Sequence, residues 1–122
     1  PPPPAEPPPV VDLSEEALFA RKTLAELNAE RPLDTIYFDY DRAELREDAR
    51  AIAAKNADWL RRWPSTRIVI EGHCDERGTA EYNLALGERR AQVIRAYMVS
   101  LGVAEDRVMA ISKCKETPVC RE

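Results

Sequence analysis

The stretch EGHCDERGTAEYNLALGERRA, from Glu71 to Ala91, decides how this chain is read. A β-branched apolar run enters it through Ile68, Val69 and Ile70, and a helix-periodic run leaves it toward Leu101. At about 100° per residue, Leu84, Gly87, Ala91, Ile94, Met98 and Leu101 form one apolar stripe, widened by Leu86, Val93 and Tyr97. Glu88, Arg89, Gln92 and Arg95 point away from it. Arg90 does not. It projects between the two apolar rows, and an arginine placed there needs a partner, because an unpaired buried charge is strongly destabilising. The acidic loop at Asp75 and Glu76, or an anionic ligand held beside that loop, is the nearest candidate. The stretch therefore predicts a strand handing over to a helix, with a charged binding site at the joint.

Working outward, Thr35 to Tyr40 alternates and is aromatic, which predicts a first strand. From Glu44 to Trp63, Leu45, Ala49, Ile52, Asn56, Trp59, Leu60 and Trp63 recur at helical spacing until Pro64-Ser65 breaks the run. Arg67 to Glu71 is the second strand, continuous enough at Ile68-Val69-Ile70 for burial on both faces. The long helix then covers Tyr82 to Leu101 with Gly102 as its C-cap, and Arg107 to Ser112 is a third strand. This βαβαβ order predicts an α/β domain, an α+β sandwich with helices packed on one face of the sheet. Ahead of it, Asp12 or Ser14 to Glu30 reads as one helix with Leu13, Ala17, Leu24 and Leu27 on its apolar side, ended by Arg31-Pro32. Pro1 to Pro9 is almost all proline, a semi-rigid polyproline II spacer. The chain is thus divided into a linker at 1–11, a helical segment at 12–32 and a domain at 33–122.

Composition narrows the function. With 18 Lys+Arg against 22 Asp+Glu, a net charge of −4 and both signs interspersed, the chain offers no basic face for nucleic acid. No apolar run approaches the length of a membrane span. The chain begins at Pro1 with no signal peptide, as a processed or excised piece would. The three cysteines form no CxxC pair. Cys74 reads as a small apolar thiol at a strand end, and Cys114 and Cys120 could pair with each other in an oxidising compartment.

His73, the only histidine, reads as a structural residue. A metal site of His73, Cys74, Asp75 and Glu76 is disfavoured because neighbours on a strand point to opposite faces, so no metal and no cofactor are expected. No serine stands in a nucleophile elbow, and the carboxylate pairs fit solvated loops, so no catalysis is expected. What Asp75 and Arg90 do match is a zwitterion: aspartate accepts from an ammonium, and arginine offers a carboxylate two parallel charge-assisted bonds. The same two residues could instead pair with each other as a fold-stabilising bridge. Gly78 is expected to supply a turn conformation and Gly72 a close approach of backbones. Trp59 and Trp63, one helical turn apart, read as core, with a partner-binding patch as the alternative.

Three pieces, IYFDYD at Ile36 to Asp41, EGHCDERGT at Glu71 to Thr79 and YNLALGERRA at Tyr82 to Ala91, make the chain resemble the outer-membrane-protein-A-like (OmpA-like) domain family from roughly Leu33 to Pro118. The resemblance implies non-covalent binding of peptidoglycan through the meso-diaminopimelate of its stem peptides. Asp75 and Arg90 would grip that residue, with supporting contacts from Phe38, Asp39, Thr79, Asn83 and Leu84. It implies a further helix and a final strand that this chain does not contain, which would leave a sheet edge open. Glu76-Arg77 after the aspartate favours the lipoprotein branch of the family. That branch implies an upstream lipid anchor, a place on the periplasmic side of the outer membrane, and a β-propeller protein of the Tol system as partner. A porin tail, a flagellar stator domain and a peptidoglycan hydrolase using His73 are the alternatives.

Overall fold

The computed structural model describes residues 14–75 and 78–113, and the chain divides into two compact units, Pro1–Pro32 and Leu33–Glu122. The first holds helices α1 (Glu15–Ala20) and α2 (Leu24–Glu30). The second holds α3 (Glu47–Arg62), β1 (Ile68–Gly72), α4 (Ala80–Ser100), a short 3-10 turn (Glu105–Arg107) and β2 (Val108–Ser112).

The single helix expected up to Glu30 is therefore two. Thr23 makes the division: its hydroxyl accepts from the Glu26 N–H at 3.1 Å and so starts a new helix where the old one would have continued. Neither α1 nor α2 has a buried residue, so local capping rather than packing decides where they begin and end. The predicted stop at Arg31-Pro32 is observed, with Arg31 in the left-handed region at φ 50°.

In the larger unit, α3 presents Ala49, Ala53, Asn56, Ala57 and Leu60 inward, and α4 presents Leu86, Gly87, Arg90, Ala91, Ile94 and Met98. The three alanines leave room for α3 to lie close to its neighbours. Ala53, Ala57 and Leu60 join Ile94, Met98, Val103 and Val108 in one buried cluster, with Ile36, Phe38, Ile68, Ile70 and Trp59 packed against it. Two readings need correction here. Leu84 is 49 % exposed, so the apolar stripe of α4 starts at Leu86. Of the two tryptophans, Trp59 belongs to the core periphery, whereas the Trp63 ring lies 4.0 Å from the Arg62 guanidinium.

The sheet is parallel, in the order β1-β2, with Ile68 opposite Val108 and the register running on to Gly72 opposite Ser112. Among the described residues of this unit, helices cover only one face of the sheet. Val69 and Met109, paired on the other face, are 53 % and 62 % exposed, which corrects the expectation of burial on both sides. Gly102, at φ +101°, closes α4 in the conformation its C-cap role requires: Val103 N–H reaches Met98 O and Gly102 N–H reaches Val99 O. Arg107 then ties the strand side to the end of α3, donating to the carbonyls of Leu60 (2.6 Å), Trp63 (2.9 Å) and Thr66 (2.9 Å).

The first expected strand is not a strand. Among the described residues, 35–39 form no ladder with a neighbouring strand, although their side chains alternate as in an extended segment. Their alternation is as predicted, since Ile36 and Phe38 pack on the core while Tyr37 is 75 % exposed. Two buried polar side chains stand in for the missing ladder. Asn56 binds Asp34 at two points, accepting from its N–H at 2.9 Å and donating to its carbonyl at 3.0 Å, and Arg90 holds the far end through the Asp39 and Arg42 carbonyls. Asn56→Ala is accordingly expected to cost about 1–3 kcal/mol, the usual penalty for stranding a part-buried amide. Urea denaturation would read it, and an unchanged midpoint would show that apolar contacts alone hold the segment.

Candidate functional site

Between the extended segment and the edge of β1 runs a groove of about 560 Å³, floored by Ile36, Phe38, Ile70 and Ile94 and ending on Asp75 and Arg90. Its size falls in the range usual for small-ligand clefts. Two elements deliver the charged end. β1 runs out at Gly72, carrying His73, Cys74 and Asp75 beyond the sheet. The middle of α4 crosses beneath them, because Gly72 has no side chain: a Cβ there would stand 1.7 Å from the Gly87 carbonyl oxygen. This is the close backbone approach the sequence predicts for Gly72. Gly78, at φ +105°, likewise has the predicted turn conformation.

Arg90 is 6 % exposed and uses every N–H it has. Nε donates to Arg42 O at 2.7 Å, Nη1 to His73 O at 3.1 Å and Nη2 to Asp39 O at 3.0 Å. Both Nη atoms also reach Asp75 Oδ1, at 3.3 and 3.4 Å. The Phe38 ring lies 5.3 Å from the guanidinium carbon, close enough for a cation–π contact. One side chain thus ties α4 to the loop after β1 and to the loop after the extended segment. The Asp75 contacts are the longest of the five, beyond the 2.7–2.9 Å customary for a charge-assisted bond. The carbonyl contacts hold Arg90 in place, while its pairing with Asp75 is loose.

The structure brings Phe38, Asp75 and Arg90 together on the groove, with Asp39 joining through its carbonyl. The Asp39 carboxylate turns away to Arg46, at 2.9 Å. Thr79, Asn83 and Leu84 do not line the groove. Thr79 caps α4, its hydroxyl accepting from the Tyr82 N–H at 3.1 Å. Asn83 Oδ1 is buried with no hydrogen-bond partner among the described residues, and the Leu84 side chain is exposed. Glu76, weighed with Asp75 as a partner for Arg90, lies outside the described residues.

Sequence reading missed two members of this cluster. Asp41, in the left-handed region at φ 58°, donates its N–H to Asp75 Oδ2 at 2.6 Å. Its carboxylate in turn accepts from the Tyr82 hydroxyl, a bond that raises the phenol above its ordinary value. The only available signal was the turn-prone DYDR run, which places an aspartate where a non-glycine residue tolerates positive φ.

Two readings of the neighbouring residues change or sharpen. Cys74 is disulfide-bonded, which corrects its assignment as a free apolar thiol. Cys114 and Cys120, for which pairing with each other is one of the readings, lie outside the described residues. His73 is exposed, with Nε2 3.8 Å from Glu71 Oε2. Among the described residues no group of three His, Cys, Asp or Glu side chains could hold a metal ion, and no helix is long and apolar enough to cross a membrane.

Residues 37–122 match the model of the OmpA family. The peptidoglycan-associated lipoprotein of Rhizobium meliloti is 54 % identical over 86 residues, covering 70 % of this chain and 49 % of its own length. That of Mesorhizobium japonicum is 52 % identical over 86 residues, covering 70 % and 51 %. The chain therefore spans about half the length of the curated relatives it matches. Among solved structures, the peptidoglycan-associated lipoprotein from Burkholderia pseudomallei superposes with a TM-score of 0.64 at 42 % identity, over 69 % of this chain and 71 % of that one.

Proposed function

Because the chain belongs to the OmpA family, we propose that its domain at 33–122 is a non-catalytic peptidoglycan binder whose ligand is the meso-diaminopimelate of the stem peptide. The observation that supports this most is the loosely paired Asp75–Arg90 couple at the end of an open groove. The ligand side chain ends in an ammonium and a carboxylate on one carbon. Its ammonium approaches Asp75, whose carboxylate is 18 % exposed, and its carboxylate exchanges onto the Arg90 Nη atoms at the expense of the two long Asp75 contacts. Arg90 itself need not move, since three carbonyls hold it. Phe38 walls the site and the Asp39 carbonyl helps hold Arg90, while Thr79, Asn83 and Leu84, at the start of α4 outside the groove, would meet only the parts of the ligand that extend beyond it.

The relatives' names carry the wider reading. As a peptidoglycan-associated lipoprotein, the whole protein would stand on the periplasmic side of the outer membrane through an upstream lipid anchor and tether that membrane to the wall. The proline-rich residues 1–11 and the helical segment 12–32 would act as the spacer. A β-propeller protein of the Tol system would be its protein partner, in a Tol–Pal type assembly.

Co-sedimentation with purified sacculi tests the ligand. The chain is expected to pellet with sacculi whose stems carry meso-diaminopimelate and to stay largely in solution with sacculi whose stems carry lysine, which lacks the second carboxylate. Equal pelleting with both would sink the diaminopimelate assignment.

A further inference from the structure

Asp75 presents about four lone-pair positions, and three are spoken for: two face Arg90 from Oδ1 and one on Oδ2 takes the Asp41 N–H. Once the ligand carboxylate takes over the two Arg90 contacts, only the last of these bonds still fixes how the Asp75 carboxylate is turned. We propose that Asp41 and Tyr82 are positioning residues for the binding site, clasping the loop after the extended segment so that Asp75 faces the ligand ammonium. The inference rests on the reading of Asp75 given above and adds to it the two residues that aim it.

The geometry of Asp41 makes the case. At φ 58° it adopts a left-handed conformation that costs any residue with a side chain, yet this conformation is what turns its N–H toward Asp75 at 2.6 Å. Something must hold it there, and two groups of α4 do so. Tyr82 O–H, in the first turn of the helix, donates to the Asp41 carboxylate. Arg90, two turns further on, takes the Arg42 carbonyl at 2.7 Å. Between them the Arg42 N–H closes back onto Asp39 O at 3.1 Å. The loop is pinned at both ends by one rigid element, and Asp75 is docked to its centre. Neither Asp41 nor Tyr82 is buried, so neither is needed for the core.

Tyr82→Phe removes only the hydroxyl, and Asp41→Gly keeps the N–H and the left-handed backbone while removing the carboxylate. Calorimetry of both variants and the parent would use two ligands: a muropeptide containing meso-diaminopimelate, and the same muropeptide with its free ammonium acetylated. For the free-ammonium ligand each variant is expected to bind about tenfold more weakly, the worth of one hydrogen bond to a charged group. For the acetylated ligand, variants and parent are expected to bind alike, while the thermal midpoints of the three proteins agree. A merely structural role would instead lower the midpoint and weaken both ligands equally, and that result would overturn the inference. So would unchanged affinity of Tyr82→Phe for the free-ammonium ligand. If the parent binds neither ligand, the peptidoglycan reading itself fails, an outcome distinguishable from either of these.

Discussion

Arg90→Leu is expected to destabilise the domain by about 3–5 kcal/mol, the range for removing one partner of a buried ion pair. The size follows from what the guanidinium alone connects. Its loss strands the carbonyls of Arg42 and His73 in a part-buried setting, leaves the Asp39 carbonyl with the Arg42 N–H alone, and takes the countercharge from the Asp75 carboxylate, which is 18 % exposed. Leucine fills volume but donates nothing. Arg90→Lys keeps the charge yet has one terminal nitrogen for a set of acceptors spread over two loops, so it should recover less than half of the loss. Asp75→Asn is the contrasting case: Arg90 keeps its three carbonyl partners, and the expected cost is no more than about 1–2 kcal/mol. Urea denaturation of the three variants would rank them. An Asp75→Asn cost equal to that of Arg90→Leu would mean that the ion pair, and not the carbonyl staples, holds the loops together.

Gly72→Ala is expected to be nearly as damaging, for a reason that has nothing to do with charge. The new methyl would meet the Gly87 carbonyl oxygen at 1.7 Å and the Ala91 methyl at 3.1 Å. The first of these is backbone in the middle of a helix and cannot swing aside. β1 must then lift off α4, opening the core around Ile68 and Ile70 and displacing Asp75, which follows three residues later. A cost of about 3 kcal/mol or more is expected, at the upper end for overpacking. Thermal unfolding followed by circular dichroism would read it, and a midpoint within a degree or two of the parent's would show that the contact is slack.

Much of this architecture was visible in the sequence. The buried stripe of α4 is written at 3.6-residue spacing over 21 residues, long enough for the period to be unambiguous, and Arg90 stood out because it interrupted that stripe. Gly72, Gly78 and Gly102 were legible for similar reasons, each falling where an element ends. The first strand was not, because alternation reports which side chains face inward and says nothing about whether a neighbouring strand is there to bond. Burial of Val69 failed on the same ground: an apolar run cannot say how many layers cover it. The replacement for the missing ladder, Asn56 bound to Asp34 across 22 positions, has no local signature. The site divides in the same way. Asp75, Arg90 and Phe38 belong to recognisable motifs and do meet on the groove, whereas the Asp41–Tyr82 bond joins residues 41 positions apart through a left-handed turn. Pairings of that reach depend on the tertiary fold and appear only once α4 has docked.

The central claim is that the Asp75–Arg90 couple binds the diaminopimelate of peptidoglycan. Calorimetric titration of the chain and of Asp75→Asn with a meso-diaminopimelate muropeptide tests it most directly, provided both proteins give the same far-ultraviolet circular dichroism. The prediction is saturable one-to-one binding by the parent, weakened by about 2 kcal/mol or more in Asp75→Asn, as expected when one member of a charged, partly desolvated contact is neutralised. Undiminished binding by the folded Asp75→Asn variant, or none by the folded parent, would contradict it.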